Sequence, residues 1–283
     1  MATVDVASAR AAGAALRPLG GLEMLAWPAL DGLPVEAFVT ARGGGVSAGP
    51  YESLNMSLAV GDDPVAVLEN RRRVALALGV DPADFVFCRQ VHGAAVRVVT
   101  AADRGAGAFA VDESVPEADV LVTAEPGVVL AILAADCVPV VLYDPVAHVL
   151  ACVHAGWRGT VARACAAAVA AMSALGARPA NIVAGIGPAI GADRYQVGPE
   201  VAAAAEAAFG TGAGAIVGPD GSGRWLFDLV AANRVVLRDA GVADGNVHVA
   251  PYVTGGGTFF SDREARPCGR LALVARLRPQ GER

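Results

Sequence analysis

The sequence predicts an α/β (α+β) fold, a layered sandwich of mixed β-sheets flanked by helices. Three largely apolar runs, at residues 118–123, 128–134 and 138–144, are typical of strands buried on both faces. Strand patterns alternate with helical patterns but also follow one another directly, which favours mixed or stacked sheets. No internal repeat or break in composition divides the chain, so we expect a single domain over residues 21–283.

The first half of the chain supplies strand and loop patterns in turn. Residues 35–42 predict a strand, and the Gly-, Pro-, Ser- and Asn-containing segment 48–61 predicts a long loop of the kind that often carries function. Residues 84–100 predict two strands that meet at Gly93. Residues 101–117, rich in Asp, Gly and Glu, predict a further loop.

A helix is expected between these segments because its two ends are marked. Asp62 or Asp63 can accept hydrogen bonds as an N-cap, and Pro64 suits a first turn. Gly79 follows the last apolar residues and is typical of a helix end. Arg71, within this helix, belongs to a run of three arginines, for which we expect a solvated face and one inward side chain.

The second half of the chain predicts further strands and helices. Gly176 and Gly241 stand where two of the helices should stop. The expected strands are residues 148–156, 181–187, 246–250 and 271–277, and the expected helices are residues 159–175, 199–209 and 225–240.

Composition excludes several classes of protein. The net charge is −6, and no basic cluster is large enough for a nucleic-acid partner. The hydrophobic fraction is 54%, but no apolar run reaches the ~18–20 residues of a membrane span. All 22 positive side chains are arginines, which excludes Schiff-base and Walker A lysine chemistry.

The amino terminus and the cysteines predict a cytoplasmic protein. Residues 1–20 carry few large apolar groups and lack a secretory pattern, so we expect a disordered lead-in. The five cysteines are odd in number and form no CxxC pair, which argues against a disulfide framework.

Three residues that can bind a soft metal stand at the ends of apolar, strand-like runs. They are His92, Cys137 and His154. Strand ends in an α/β fold bring distant segments together, so these side chains are candidates for a catalytic zinc site with one open position. The alternative is three unrelated residues, since a lone buried cysteine usually behaves as a small hydrophobe.

Asp136 and Cys137 interrupt a strand that is apolar on both sides. A buried carboxylate needs a partner, such as an arginine, a cluster of backbone amides or a metal-bound group. A nearby cation or metal would turn the Cys137 thiol into a thiolate. Alternatively, Asp136 only ends the strand and caps a turn.

Two segments could hold an anion. Arg158 follows His154 at a strand-to-helix junction, where backbone amides favour negative charge. Arg42 and Ser47 flank three glycines whose exposed amides could hold a phosphate. The candidate residues for substrate or phosphate binding are Arg42, Ser47, Asn55 and Arg158.

Other motifs are rejected. Residues 185–191 contain glycines in a dinucleotide-like pattern, but Pro188 and the residues after it do not predict the helix that a Rossmann motif requires. His148 and His248 are expected to be structural or solvent-facing. The sequence contains no GxSxG or HExxH motif.

Taken in order, these segments resemble the YfiH-type family, also called DUF152 or laccase-domain (multicopper polyphenol oxidase) proteins, which includes the FAMIN-like proteins. The resemblance covers nearly all of residues 42–270. The stretches that carry it are RGGGVSAGPYESLNMS, GDDPVAVLENRR, QVHG, ADVLVT, AADCVPVVLYD, HAGWRGT, GIGPAIGADRYQVGPEV and FFSDREARPCGR.

The resemblance implies a layered fold related to cysteine hydrolases, with Zn²⁺ held by His92, Cys137 and His154. It implies phosphorolysis of adenosine, inosine and methylthioadenosine, with inorganic phosphate as co-substrate and adenosine deamination as a second activity. We expect Asp136 to carry protons. The chain departs from the family at Val253, where relatives often have cysteine, and at Cys268, where they usually have threonine.

Three other functions compete with this one. Cys137 could be the nucleophile of a Cys-His hydrolase or amidase, with His154 or His92 as its base, and some bacterial relatives are linked to peptidoglycan precursor editing. Copper-dependent phenol oxidation, which the older family name implies, is disfavoured because the chain has only four histidines. A non-catalytic binding module would have a closed metal site.

Overall fold

Two six-stranded mixed sheets form the framework of the protein in a computed structural model that describes residues 13–279. The first sheet has the strand order β1-β2-β3-β15-β7-β4, and the second has the order β14-β10-β8-β9-β6-β5. A small third sheet has the order β11-β13-β12. The pairs β4–β7, β5–β6 and β10–β14 are parallel, whereas the others are antiparallel.

The strands are β1 (Ala15–Leu19), β2 (Leu22–Ala26), β3 (Val35–Thr40), β4 (Phe85–Phe87), β5 (Val96–Val98), β6 (Val120–Thr123), β7 (Val129–Ala134), β8 (Val138–Asp144), β9 (Val149–Ala155), β10 (Val183–Ile186), β11 (Gln196–Val197), β12 (Val217–Pro219), β13 (Trp225–Phe227), β14 (Val247–Val249) and β15 (Leu271–Leu277). The helices are α1 (Pro64–Leu78), α2 (Trp157–Val161), α3 (Ala164–Ala174), α4 (Pro199–Phe209) and α5 (Leu229–Asp239).

The two large sheets pack face to face, and helices cover their outer faces. Successive residues of β8 point to opposite faces, so Val141 and Tyr143 enter the core between the sheets while Val140 and Leu142 pack on the helical side. Helices α3 and α5 cover the second sheet, and α1 covers the first. The predicted layered sandwich of mixed sheets flanked by helices is therefore present.

The ends of α1 follow the predicted signals. Asp63 is the N-cap and accepts a hydrogen bond from the Val65 amide at 3.0 Å. Gly79 ends the helix with φ of +65°, a conformation that glycine adopts without strain. Arg71 is the inward member of the arginine run and is 4% exposed.

Three predicted boundaries differ from the structure. Residues 15–19, expected to be part of a disordered lead-in, form β1 and pair with β2, while residues 1–12 lie outside the described part of the chain. The helix predicted over residues 159–175 is divided into α2 and α3, because Arg163 has φ of +61°. Residues 225–227 form a strand, and α5 starts after Asp228, which caps it by accepting from the Ala231 amide.

No helix in residues 13–279 has the length and apolar character needed to cross a bilayer.

Candidate metal centre

His92, Cys137 and His154 meet at one end of the second sheet. Their candidate ligand atoms lie within 4.8 Å of one another. The two imidazole rings contact edge to face, with their centroids 4.9 Å apart. The predicted convergence of these three residues is confirmed.

The hairpin of β8 and β9 explains the pairing of Cys137 with His154. Pro139 pairs with His154 and Val138 with Ala155, so Cys137, directly before β8, lies beside the end of β9. Both strands are fully buried in the middle of the sheet. His92 reaches the same place from the loop between β4 and β5.

Asp119, fully buried before β6, holds both histidine segments in place. Its carboxylate accepts hydrogen bonds from the amides of Val91, His92 and Gly93 at 3.2, 3.0 and 2.6 Å. It also lies 2.7 Å from Nδ1 of His154. A carboxylate only accepts here, so Nδ1 donates and Nε2 of His154 is left free to act as a candidate ligand atom.

The sequence did not reveal Asp119 as a site residue. The available signal was an acidic residue directly before a continuously apolar strand, within a stretch shared with the resembling family. A buried carboxylate in that position needs hydrogen-bond donors.

The electrostatics of the cluster favour a thiolate. Burial disfavours the charged thiolate of Cys137, but His154 and His92 outweigh this effect and lower its pKa to about 6. Burial likewise disfavours a charged His154, yet Cys137 and Asp119 raise its pKa to about 9. The thiolate is the form of cysteine that binds metals and acts as a nucleophile.

Gly156 keeps space open beside the three candidate ligands. A Cβ at this position would lie 2.8 Å from Sγ of Cys137 and 3.1 Å from Cδ2 of His92. Its φ of −72° and ψ of 177° are accessible to any residue, so the backbone conformation does not require glycine. Glycine is required instead because the side chains of Cys137 and His92 approach this position so closely.

Asp136 lies next to the cluster with a left-handed φ of +86°. Its Oδ1 accepts from the Thr254 hydroxyl at 2.5 Å, and its Oδ2 accepts from the Arg263 amide at 2.7 Å. These donors are the partners that a buried carboxylate needs.

Val253, one of the two departures from the family pattern, is 51% exposed and does not line the cavity described next.

A cavity of about 530 Å³ opens over the cluster. Its wall includes His92, Cys137 and His154, with Asp136 beside them. Six arginines line it, although the whole chain has a net charge of −6. They are Arg71, Arg89, Arg158, Arg263, Arg266 and Arg270. The cavity therefore favours an anionic ligand.

Of the four predicted substrate- or phosphate-binding residues, the structure brings only Arg158 to this cavity. Ser47 and Asn55 are buried, and both hydrogen-bond to Asn70. Arg42 donates from Nε to the Glu52 carbonyl. Arg42, Ser47 and Asn55 thus serve the packing of the loop that precedes α1.

The fold and the cluster together define a mixed-sheet α+β protein with a candidate His₂Cys centre. A family model described as multi-copper polyphenol oxidoreductase laccase matches residues 36–278. The crystal structure of the hypothetical protein YfiH from Bacillus licheniformis has a TM-score of 0.88 and 34% identity, covering 93% of this chain and 99% of that one. The chain therefore belongs to this laccase-domain, YfiH-type family.

Several relatives carry names that refer to purine chemistry. A protein of Deinococcus radiodurans named purine nucleoside phosphorylase is 43% identical over 264 residues, which cover 93% of this chain and 96% of the relative. A protein of an unknown prokaryotic organism named adenosine deaminase RL5 is 40% identical over 213 residues, covering 75% of this chain and 81% of the relative.

Proposed function

We propose that this protein is a zinc-dependent purine nucleoside phosphorylase that acts on adenosine, inosine and methylthioadenosine and also deaminates adenosine. The observation that carries the proposal is the meeting of two imidazoles and one thiol in an arginine-lined cavity. The names of the relatives support the purine substrates.

The cluster suits zinc by its donor set. Two imidazoles and one thiolate leave one position open, as in catalytic zinc sites. Asp119 binds Nδ1 of His154 and leaves Nε2 for the metal, as carboxylates do in known zinc sites. A zinc ion held by His92, Cys137 and His154 would supply Lewis acidity to the cavity.

Copper-dependent oxidation fits the chain poorly. A multicopper centre needs many histidines, and the chain has four. His148 contacts the Tyr143 hydroxyl and the Arg278 carbonyl instead. Within residues 13–279, the only group of three or more metal-binding side chains is the His92–Cys137–His154 cluster.

In the proposed phosphorolysis, a phosphate oxygen bonds to C1′ of the ribose while the bond from C1′ to the purine nitrogen breaks. The purine leaves with the bonding electrons and takes up a proton, and ribose 1-phosphate forms. The arginines of the cavity wall would bind and orient the phosphate, and their positive charge would offset its negative charge.

In the proposed deamination, water adds to C6 of adenine and ammonia leaves, so a proton must pass from the water to the departing nitrogen. We assign this transfer to Asp136, which lines the cavity beside Cys137. The Thr254 hydroxyl and the Arg263 amide fix the orientation of its carboxylate.

The proposal is tested by removing a ligand. Cys137→Ser and His154→Ala should each lose bound zinc by elemental analysis and lose release of adenine from adenosine and phosphate. Cys165→Ser, a buried cysteine that contacts Asn233 away from the cavity, should keep both. Unchanged phosphorolysis in metal-free Cys137→Ser protein would overturn the proposal.

A Cys-His hydrolase or amidase, as in peptidoglycan precursor editing, is the second candidate. The lowered pKa of Cys137, about 6, and the raised pKa of His154, about 9, match a nucleophile and its base. Such an enzyme would turn over an amide without zinc and form a thioester at Cys137, which intact-mass measurement detects. The zinc phosphorylase would do neither.

A further inference from the structure

The charges of the six cavity arginines are compensated to different degrees. Arg89 pairs with Glu117 at 3.1 Å. Arg266 and Arg270 both pair with Asp262, at 2.5 and 3.1 Å. These three guanidinium groups already have carboxylate partners.

Arg71 has no carboxylate partner within the described residues, but its donors are used. Its guanidinium donates to the carbonyls of Met56, Gly107 and Ala108 at 2.7–3.0 Å. It also stacks on the ring of Phe87, with Cζ 3.9 Å from the centroid. Arg71 therefore ties the α1 helix to two loops and is less available to a ligand.

Arg158 and Arg263 remain. Between residues 13 and 279, neither forms an ion pair. Arg158 stacks over Trp157, with Cζ 4.3 Å from the ring centroid, which fixes its plane without using its donors. Nη1 of Arg263 makes only long hydrogen bonds, 3.4 and 3.2 Å, to the carbonyls of Arg194 and Gln196.

Tyr195 lies in the same cavity wall as these two arginines and contacts one of them. Cζ of Arg263 is 5.3 Å from the centroid of its ring. Burial raises the pKa of Tyr195 to about 12. The hydroxyl therefore keeps its proton at neutral pH. The Tyr195 side chain lines the cavity, and its hydroxyl has no hydrogen-bond partner among the residues that the structure describes.

Both arginines are anchored to the metal centre through the backbone. The Arg263 amide donates to Asp136, which precedes Cys137. Arg158 follows His154 on the same chain segment, after the end of β9. Both arginines line the same cavity as the cluster, so an anion bound by their guanidinium groups would share that cavity with the proposed zinc ion.

We propose that Arg158, Arg263 and Tyr195 form the subsite for inorganic phosphate, an inference that rests on the proposed phosphorylase function. Two guanidinium groups match the charge of phosphate and can bind its oxygens in pairs. The tyrosine hydroxyl adds a neutral donor. The subsite replaces the sequence-based assignment of Arg42 and Ser47, which do not line the cavity.

Steady-state kinetics of the zinc-loaded protein test the subsite. Arg158→Gln and Arg263→Gln should each raise the KM for phosphate about tenfold or more, because each removes a charged hydrogen-bond donor. Tyr195→Phe should raise it about two- to tenfold. Adenosine deamination needs no phosphate, so its rate should fall much less than that of phosphorolysis in all three variants.

Two variants serve as controls. Arg234→Gln removes an exposed arginine on α5 that forms no ion pair in the described region and does not line the cavity, and it should leave the KM for phosphate unchanged. Arg158→Lys keeps the charge but not the paired donors, so it should recover part of the phosphate affinity.

The outcomes separate the subsite from the proposed function. An unchanged KM for phosphate in both glutamine variants would overturn the subsite, as would equal losses of phosphorolysis and deamination. If the wild-type protein lacks phosphorolysis, the proposed function fails, and calorimetric titration with inorganic phosphate still decides the subsite. Binding that the variants lose supports it, whereas no binding to the wild-type protein overturns it.

Discussion

Oδ1 of Asp119 accepts from two groups at once, Nδ1 of His154 at 2.7 Å and the backbone amide of His92 at 3.0 Å. One oxygen atom thereby links two candidate metal ligands that are distant along the chain. His92 has a left-handed φ of +60°, and its amide is one of three consecutive amides that turn towards this carboxylate. Asp119 thus positions the ring of one ligand and the backbone of the other.

Replacing this carboxylate should weaken metal binding. Asp119→Asn should lower zinc affinity about 10–100-fold, because the amide no longer offers two charged acceptor oxygens to the histidine segments. Competition with a chromophoric chelator measures the affinity, and circular dichroism checks the fold. The exposed Asp244→Asn is the matched control. A folded Asp119→Asn protein with wild-type zinc affinity would contradict the assignment.

Adding one methyl group at Gly156 should block the metal centre. In Gly156→Ala the new Cβ would lie 2.8 Å from Sγ of Cys137, so the ligands must move apart. We expect loss of bound zinc and of nucleoside cleavage in a protein that still folds, since the backbone conformation is permitted. Elemental analysis and product separation measure these losses.

Gly245→Ala controls for the loss of a glycine as such, because a Cβ there would meet no atom within 4 Å. Full zinc content in Gly156→Ala would show that the cluster tolerates the methyl group.

Metal removal should also lower stability. A ligand that binds only the folded state stabilises it by about 2.7 kcal/mol at a free concentration of about 100 times Kd. Chelation of the wild-type protein should therefore lower the free energy of unfolding by about that amount, measured by urea denaturation. Cys137→Ser protein should not respond to the chelator, and an equal response would place the stabilising metal elsewhere.

Replacing Asn70, which lies outside the metal cluster, should lower the stability of the protein. Its side-chain nitrogen donates to Ser47, Ser53 and Asn55, and its oxygen accepts from the Val46 amide. Asn70→Ala removes all four hydrogen bonds and leaves the Ser47 hydroxyl and the Asn55 carbonyl, both in buried residues, without this donor, so we expect a loss of about 2–4 kcal/mol in the free energy of unfolding.

Urea denaturation measures this loss. Leu76→Ala, on the same helix at 69% exposure, should change stability by no more than about 0.5 kcal/mol. Similar values for the two variants would mean that the Asn70 network contributes little.

The convergence of the three candidate metal ligands was predictable from sequence because each stands where an apolar run ends. Cys137 and His154 interrupt otherwise apolar segments, and strand ends meet at one edge of a sheet. Asp119 was harder to assign, since its four donors come from backbone amides and a ring that only the folded chain assembles.

The other two residues of the proposed phosphate subsite, Arg263 and Tyr195, could not be predicted from sequence either. Arg263 lies more than a hundred residues further along the chain, and Tyr195 lies between them in a segment without regular structure before β11. The sequence around Arg263 also does not show that Arg266 and Arg270 pair with Asp262 while Arg263 forms no ion pair within the described residues. The break at Arg163 was likewise invisible, because alanine-rich residues around it favour a continuous helix.

The pairing of β8 with β9 links strand alignment to chemistry. Val138 faces Ala155 and Pro139 faces His154, which sets Cys137 beside the imidazole across the ladder. If the pairing of β8 with β9 shifted by two residues, each apolar side chain would still face the same side of the sheet. The sulfur of Cys137 would, however, move about 7 Å along the strand relative to the ring of His154. A misaligned hairpin could thus be well packed and inert, so zinc uptake would report whether this protein has folded in the correct register.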